Sequence, residues 1–445
     1  AEAEAGEVGP LTERLVREAR LRGAAIYMEG FDRLLDDDHR HRLAQVFRAV
    51  DTGPEMVFLA GDVEWEPGRD LCRRPFVRVG FNRPSHALRR AMWDQALKKE
   101  DIDPADREHL GAVAGKFRFN GGQILDAADT ARNLSRLRLG RGGKVHPEDL
   151  YEACRRHSNQ KLGRLARKIV PGATWEDIVL PADCLEQLRS ITHFVRHRAQ
   201  VFESWGFGRK LSLGKGVNAL FAGPSGTGKT MAAEILAGDL GLDLYKIDLS
   251  TVVSKYIGET EKNLARIFTE AETSNAILFF DEADALFGKR SEVRDSHDRY
   301  ANIEISYLLQ QMETFEGVAI LATNLRKNMD DAFVRRLAFT IHFPFPEADD
   351  RLRIWRGTWP AAAPVSSDVD LDFMARRFRL AGGNIRNIAL AAAFLAADDG
   401  KTVAMPHLIR ATRQEFHKMG KACVRTDFEP YYDIIAPGAN GGGTP

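Results

Sequence analysis

Gly223-Pro224-Ser225-Gly226-Thr227-Gly228-Lys229-Thr230 is the stretch on which the fold turns. Before it stands Val217-Asn218-Ala219-Leu220-Phe221-Ala222, an apolar run of strand length. After it comes Met231-Ala232-Ala233-Glu234-Ile235-Leu236-Ala237, which reads as a helix. Strand, glycine-rich loop and helix in that order make a phosphate cradle. The glycines let successive backbone N–H groups turn toward phosphate oxygens, and the helix N-terminus adds the positive end of its dipole. In such a cradle the backbone from Gly223 to Gly228 wraps the phosphates, Lys229 reaches the β- and γ-phosphates, and Thr230 ligates Mg2+. The competing reading is a plain glycine turn before a helix, and the segments downstream weigh against it.

Ala276-Ile277-Leu278-Phe279-Phe280 is apolar throughout, as a central parallel strand requires, and it ends in Asp281-Glu282-Ala283-Asp284. An acid at the carboxyl end of such a strand can hold the Mg2+ shell, and the next acid can activate water. Asp281 takes the metal role and Glu282 the role of base. Taken alone, an acidic pair after a strand often only caps a helix. Val318-Ala319-Ile320-Leu321-Ala322-Thr323-Asn324 is a further buried strand with a polar end. Asn324 is placed to hold the attacking water between the γ-phosphate and Glu282; a turn asparagine is the other reading.

With these motifs in place, residues 171–420 resemble the AAA family of ATPases. The resemblance implies a parallel α/β sheet with a small helical lid, ATP and Mg2+ as ligands, and ATP hydrolysis. Thr174-Trp175-Glu176-Asp177-Ile178 resembles the family segment beside adenine, which assigns Asp177 and Ile178 to nucleotide binding. Asp330-Asp331-Ala332-Phe333-Val334-Arg335-Arg336 resembles the helix carrying the arginine fingers. In the family these arginines reach the γ-phosphate of the neighbouring subunit, so Arg335 and Arg336 imply a ring, by family default a hexamer. Arg386, in Gly382-Gly383-Asn384-Ile385-Arg386-Asn387, resembles the second sensor arginine of many relatives, with a surface arginine as the alternative. Ser254-Lys255-Tyr256-Ile257-Gly258-Glu259 resembles the pore loop with which ring-shaped unfoldases grip polypeptide. There Lys255, Tyr256, Ile257 and Gly258 combine an aromatic grip with glycine flexibility; a core tyrosine beside a turn is the bland reading. The mixed-charge run Gly288 to Asp298 reads as a second loop facing the pore or a solvated loop. The stretch from Tyr300 through Arg336 to Pro346 also resembles AAA ATPases associated with bacterial phage-tail-like contractile injection systems, which implies components of such a particle as partners.

Composition narrows the remaining classes. Of 445 residues, 44% are apolar and 28% charged, the balance of a water-soluble globular chain, and the formal net charge is zero. A nucleic-acid motor would carry a basic stripe or a stacking platform, and neither is evident. A guanine-nucleotide switch would need an Asn-Lys-x-Asp segment, which is not found. The four cysteines, Cys72, Cys154, Cys184 and Cys423, lack metal or redox spacing. No apolar run approaches the length of a membrane span. The start Ala1-Glu2-Ala3-Glu4 has no basic region leading into an apolar one, so a cytoplasmic location is expected.

The front of the chain echoes the second half of the ATPase segment. Ala24-Ala25-Ile26-Tyr27-Met28-Glu29-Gly30 aligns with the strand ending at Glu282, so that Glu29 stands for Asp281 and Gly30 for Glu282. Val57-Phe58-Leu59-Ala60-Gly61-Asp62 aligns with the Asn324 strand, with Asp62 at the sensor. Arg73-Arg74 aligns with Arg335-Arg336. Phe81-Asn82-Arg83-Pro84 with Trp93 parallels Phe343-Pro344-Phe345-Pro346 with Trp355. Gly121-Gly122-Gln123-Ile124-Leu125 parallels Gly382 to Arg386, with Leu125 replacing the arginine. Apolar strands and turn glycines persist while the chemistry is gone. The reading is a degenerate AAA-like domain over 1–139, with its front half upstream of residue 1 or absent; a helical adaptor is the alternative. Next come a glycine-rich linker and helical connector at 140–170, the nucleotide-binding subdomain at 171–346, the helical lid at 347–422 and a tail at 423–445, disordered at its end. The expected function is an ATP-driven ring that remodels protein substrates. An assembly factor or scaffold of a large complex is the second reading.

Overall fold

The computed structural model describes residues 8–434, apart from 36–39, 54–55, 64, 67–73, 99–100, 104, 141, 159–165, 212–213, 250–258, 275, 284–305, 325–334 and 401. The chain divides into two units, Ala1–Asn82 and Arg83–Pro445. Among the described residues no helix is long and apolar enough to cross a membrane.

In the first unit, helix α1 (Val8–Arg22) leads to strand β1 (Ile26–Glu29), and helix α2 (Arg40–Asp51) crosses over to strand β2 (Val57–Ala60). The strands run parallel, with Ile26 opposite Val57 and Glu29 opposite Ala60. Strand side chains alternate between faces. Ile26, Met28, Val57 and Leu59 therefore share one face and pack on Val16, Val46, Phe47 and Val50 from the helices. Trp65 stacks on Phe47 at 5.4 Å and meets Phe31 edge-on at 5.1 Å, which closes this small core. The opposite face is open: Tyr27 is 64% and Phe58 51% exposed.

The second unit opens with a four-helix bundle. Helices α3 (His86–Ala96), α4 (Glu108–Lys116), α5 (Gly121–Leu139) and α6 (Pro147–Ser158) enclose Trp93, Leu110, Phe117, Ile124, Leu150 and Cys154. Asn120 and Gln123 start α5 with a reciprocal capping box, which satisfies two otherwise orphaned N–H groups. The glycine-rich run at 140–144 is a tight turn inside this bundle rather than a link between modules. Ser135 donates to the Lys144 carbonyl (2.7 Å), Val145 N–H donates to the Asp101 carbonyl (2.7 Å), and α6 beyond it packs in the same core. The expected helical connector does not run through to Ile169: α6 is described as far as Ser158, and Arg167–Ile169 is strand β3, laid antiparallel on the edge of the main sheet.

That sheet has the order β3-β5-β6-β7-β4-β8. Its members are β4 (Val217–Ala222), β5 (Leu244–Asp248), β6 (Ile277–Asp281), β7 (Val318–Thr323) and β8 (Phe339–His342), all parallel save β3. Every residue of β4 and β7 is buried, which is why both read as unbroken apolar runs. Helices α7 (Ala182–Ala199) and α8 (Lys229–Leu240) cover one face, against Ala219, Phe221, Phe279 and Ile320. Helix α9 (Glu259–Ser274) and a helix at 306–314 cover the other, against Leu220, Leu278, Phe280 and Leu321. Helices α10 (Ala348–Gly357), α11 (Leu371–Arg377), α12 (Gly382–Asp398) and α13 (Met405–Lys418) form a second bundle around Trp355, Met374, Phe378 and Ile388.

The two bundles share internal details. Arg89 is buried in α3 and donates to the carbonyls of Ala114 (2.8 Å) and Pro84 (2.5 Å). Arg351 is buried in α10 and donates to those of Ala375 (2.7 Å) and Pro346 (2.6 Å). A fully buried tryptophan, Trp93 or Trp355, follows each arginine by one helical turn. Each bundle also holds one isolated parallel bridge, Ile102 with Val145 and Val365 with Val403. Each guanidinium satisfies carbonyls that would otherwise be buried without donors. Charge-assisted bonds of this kind contribute roughly 1.5–3 kcal/mol apiece. Arg351→Met should therefore lower unfolding free energy by about 3 kcal/mol, and Arg89→Met by a comparable amount, as read by denaturant titration. A loss below about 1 kcal/mol in either would show that the arginine does not tie its bundle together.

Candidate functional site

The site forms at the carboxyl ends of the parallel strands, where the strand order changes direction around β4. The register sets its level: Ala222 lies opposite Thr323, and Asp248 opposite Asp281. The chain leaves β4 at Gly223, where a side-chain carbon would sit 2.1 Å from the Phe343 carbonyl oxygen, so only glycine fits. Gly226 and Gly228 take φ of 76° and 100°, the left-handed region that bends the loop inward. Thr227 donates from its hydroxyl to the Pro224 carbonyl (2.8 Å) and tightens the turn. Pro224, Ser225 and Gly226 stay exposed at its crest. Helix α8 then starts at Lys229, with Thr230 in its first turn.

The Lys229 ammonium reaches back across the loop. It donates to the carbonyls of Gly223 (2.7 Å) and Pro224 (3.0 Å) and to the Asn324 side-chain oxygen (2.8 Å). The loop lysine and the polar end of β7 therefore meet, although 95 residues separate them. Asp281 ends β6 with both oxygens engaged. One accepts from the Glu282 backbone N–H (3.0 Å), and the other lies 2.6 Å from the Lys246 ammonium. Lys246, on β5, was missed in the sequence. Its signal was a lysine inside the apolar strand Leu244-Tyr245-Lys246-Ile247, where an ammonium needs an acid at its end.

Glu282 has φ of 54° and is the only non-glycine residue in the left-handed region among the described residues. Such a conformation costs roughly 1–3 kcal/mol and persists where the surroundings impose it. The aligned residue in the first unit, Gly30, has φ of 69°. The turn after the strand asks for glycine at both places, and the site keeps a glutamate there.

The lid bundle touches the loop directly. Gly383 N–H, in the first turn of α12, donates to the Gly226 carbonyl (3.0 Å). Arg386 follows on the same helix and is exposed. Ile178 is buried in the sheet core with its methyl end against Gly228. Asp177 is occupied differently: its carboxylate accepts from the Thr174 backbone N–H (2.7 Å) and hydroxyl (2.8 Å). Those bonds, the backbone one first, hold it below the usual carboxylate range. Arg335 and Arg336 are exposed, and Arg336 lies 3.3 Å from Glu313. Lys255, Tyr256, Ile257 and Gly258 lie outside the described residues, as do Asp284, the run 288–298 and residues 330–334.

The donor set suits a nucleotide with Mg2+. Mg2+ binds through one or two protein oxygens and completes its shell with water and phosphate. Thr230 and Asp281 supply such oxygens, and no cluster of three His, Cys, Asp or Glu side chains occurs among the described residues. The Glu282 conformation gives a test. Glu282→Gly should raise stability by about 1 kcal/mol by relieving the left-handed strain, while Glu282→Ala should not. Both should abolish ATP turnover. Equal melting temperatures for the glycine and alanine variants would remove the strain argument.

Comparison with known proteins bears on this geometry. Residues 219–346 match the ATPase family associated with various cellular activities (AAA). Residues 85–160 match the contractile injection system ATPase helical domain. Similar proteins include an uncharacterized AAA family ATPase, y4kL, of Sinorhizobium fredii, 35% identical over 41% of this chain and 53% of its own length. The 26S proteasome subunit RPT4 of Saccharomyces cerevisiae is 32% identical over 52% of this chain and 53% of its own. A cell division cycle protein 48 homolog of Archaeoglobus fulgidus is 28% identical over 66% of this chain and 41% of its own. The chain thus spans between two-fifths and just over half of the length of these relatives. Residues 219–346 thus match the AAA ATPase domain, on the α/β fold of phosphate-loop nucleotidases, and residues 85–160 match the helical domain of contractile injection system ATPases.

Proposed function

We propose that this chain is an ATP-hydrolysing ring motor that remodels protein substrates. The observation that carries the reading is that Lys229 bonds Asn324 at the carboxyl end of the sheet, where the Asp281–Glu282 turn closes the strand next to β7. Gly223 to Gly228 cradle the phosphates, Lys229 reaches the β- and γ-phosphates, and Thr230 and Asp281 hold Mg2+. Asn324 positions a water, and Glu282 accepts its proton. Ile178 lines the adenine side, with Asp177 shaping the turn beside it. Arg386 reaches the phosphates from the lid when the lid closes on Gly226. Arg335 and Arg336, exposed on one chain, complete the site of a neighbouring subunit, which calls for a homo-oligomer with hexamer as the default. Lys255, Tyr256, Ile257 and Gly258 form the loop that grips polypeptide in the pore.

Residues 1–158 are a silent counterpart of the ATPase module. The alignment that sets Gly30 on Glu282 and Asp62 on Asn324 also sets Ile26 on Leu278 and Val57 on Ala319. Those residues are register partners in their own sheets, Ile26 with Val57 and Leu278 with Ala319. The open face bearing Tyr27 and Phe58 corresponds to the face that α7 and α8 cover in the ATPase. Val79 and Phe81, 66% and 94% exposed, correspond to the fully buried Ile341 and Phe343 beside β4. Among the described residues of the first unit, no strand or helix stands where β4 and α8 stand in the ATPase module.

The match at 85–160 favours a second reading, an assembly or disassembly factor of a contractile injection particle, with particle components as substrates. Both readings share the motor. Arg335→Ala and Glu282→Gln should each lower turnover by about 10³-fold, and an equimolar mixture of the two should recover activity. In mixed rings an intact Glu282 meets an intact Arg335 from its neighbour. Turnover per chain should also rise steeply with protein concentration. A mixture as inactive as its components would mean that the arginines do not act between subunits. Tyr256→Ala should retain ATP turnover and lose action on protein, and retention of both would rule out threading.

A further inference from the structure

At the end of the sheet opposite the phosphate loop, the helical bundle meets the amino ends of the strands in a cleft of about 60 Å³. Leu242, Ala276 and Val318, at the starts of β5, β6 and β7, form its floor. Its polar lining is unbalanced in charge. Arg83, Lys116 and Arg118 come from the bundle side and Arg198 from α7, against the two carboxylates of Glu272 and Glu316.

The carboxylates are already engaged. Arg118 donates to the Glu316 carboxylate, and the Arg198 guanidinium lies 3.5 Å from the same group while donating to the Glu316 carbonyl. Arg83 lies 4.0 Å from the Glu272 carboxylate and donates to its carbonyl at 3.2 Å. Lys116 sits with its ammonium 4.7 Å from the centre of the Tyr151 ring. Burial, and after it the charge of Arg196, lower its pKa, and Asp239 only partly opposes them. The Nε and Nη2 groups of Arg198 are buried and make no hydrogen bond, although Nη2 is the atom ion-paired with Glu316 at 3.5 Å. Burial, and after it the neighbouring Arg118, pull Arg198 down to about 9. Leaving the buried Arg198 donors unmade is costly, and four cations around two acids leave the cleft with excess positive charge.

We propose that this cleft binds a small dianion rich in oxygen acceptors, of the inorganic phosphate class. Two negative charges balance the lining. Tetrahedral oxygens can accept from Arg198 Nε and Nη2 and from the Lys116 ammonium together, as guanidinium forks suit phosphate. The cleft is too small for a nucleoside, since sites for drug-sized ligands run to about 300–1,000 Å³. It is a second anion site, separated from the nucleotide by the length of the buried strands, and it ties the helical bundle to the ATPase sheet.

The test is calorimetric titration of sodium phosphate at fixed ionic strength into the Lys229→Ala chain, where the phosphate loop no longer competes. One equivalent of phosphate should bind. Adding Lys116→Gln should weaken that binding at least about ten-fold, whereas Lys116→Arg should preserve it. In phosphate-free chloride the Lys116→Gln chain should melt no lower than its parent, since it loses one of the mutually repelling cations. Arg83→Gln, at the exposed mouth of the cleft, is the second variant should Lys116→Gln fail to fold, and it too should weaken binding. Absence of phosphate binding to the Lys229→Ala chain would overturn the proposal, as would affinity unchanged by both neutral substitutions.

Discussion

The parallel register between β4 and β7 is the constraint on which the rest depends. Both strands are buried along their whole length, so neither can slip by one residue without sending an entire face of side chains to the wrong layer. Ala222 is thereby held opposite Thr323, and the next residues, Gly223 and Asn324, stand side by side at the rim. The Lys229 ammonium can then bond the Gly223 carbonyl and the Asn324 side chain at once. Gly223 has no room for a side chain because β8 is pressed against β4 on its other flank, with the Phe343 carbonyl in the way. Chemistry contributed by segments far apart in sequence is thus aligned by hydrophobic packing, before any polar group contributes.

The polar groups act within that frame. Asp281 is pinned from two sides, by the Lys246 ammonium and by the backbone of Glu282. The second bond belongs to the turn that holds Glu282 at positive φ. An aspartate fixed in this way offers its oxygens in one direction, as a metal ligand must. The first unit shows the same turn without the chemistry. Gly30 takes the conformation without strain, and Glu29 stands where the aspartate would be. The contrast separates the turn, which the fold imposes at both places, from the side chains it carries.

The legible part of the sequence was the part whose chemistry is local. The phosphate loop, the acidic strand end and Asn324 each follow an apolar run, and such runs are readable because a doubly covered strand cannot alternate. What escaped was set by long-range contact. Gly140 to Lys144 reads as a linker by composition, yet Ser135 and Asp101 fold it into a turn, and α6 buries Leu150 and Cys154 beyond it. Lys246 drew no reading from the sequence, because its acid lies on the neighbouring strand. The approach of Gly383 to Gly226 depends on the lid lying over the loop, which no spacing in the sequence encodes.

The bonds that join each bundle to the sheet suggest which part moves. The helical bundle is fastened by charged groups: Arg118 to Glu316, Arg83 to Glu272, and Arg89 and the His86 backbone to Glu203. Between the lid and the loop, the bond from Gly383 to the Gly226 carbonyl joins two backbones whose glycines bend easily. Buried strands and well-packed cores transmit force as rigid bodies and do not deform continuously. A change at the loop therefore passes first to the lid through α12, which carries Arg386. The helical bundle, locked at the far end of the same strands, follows the sheet.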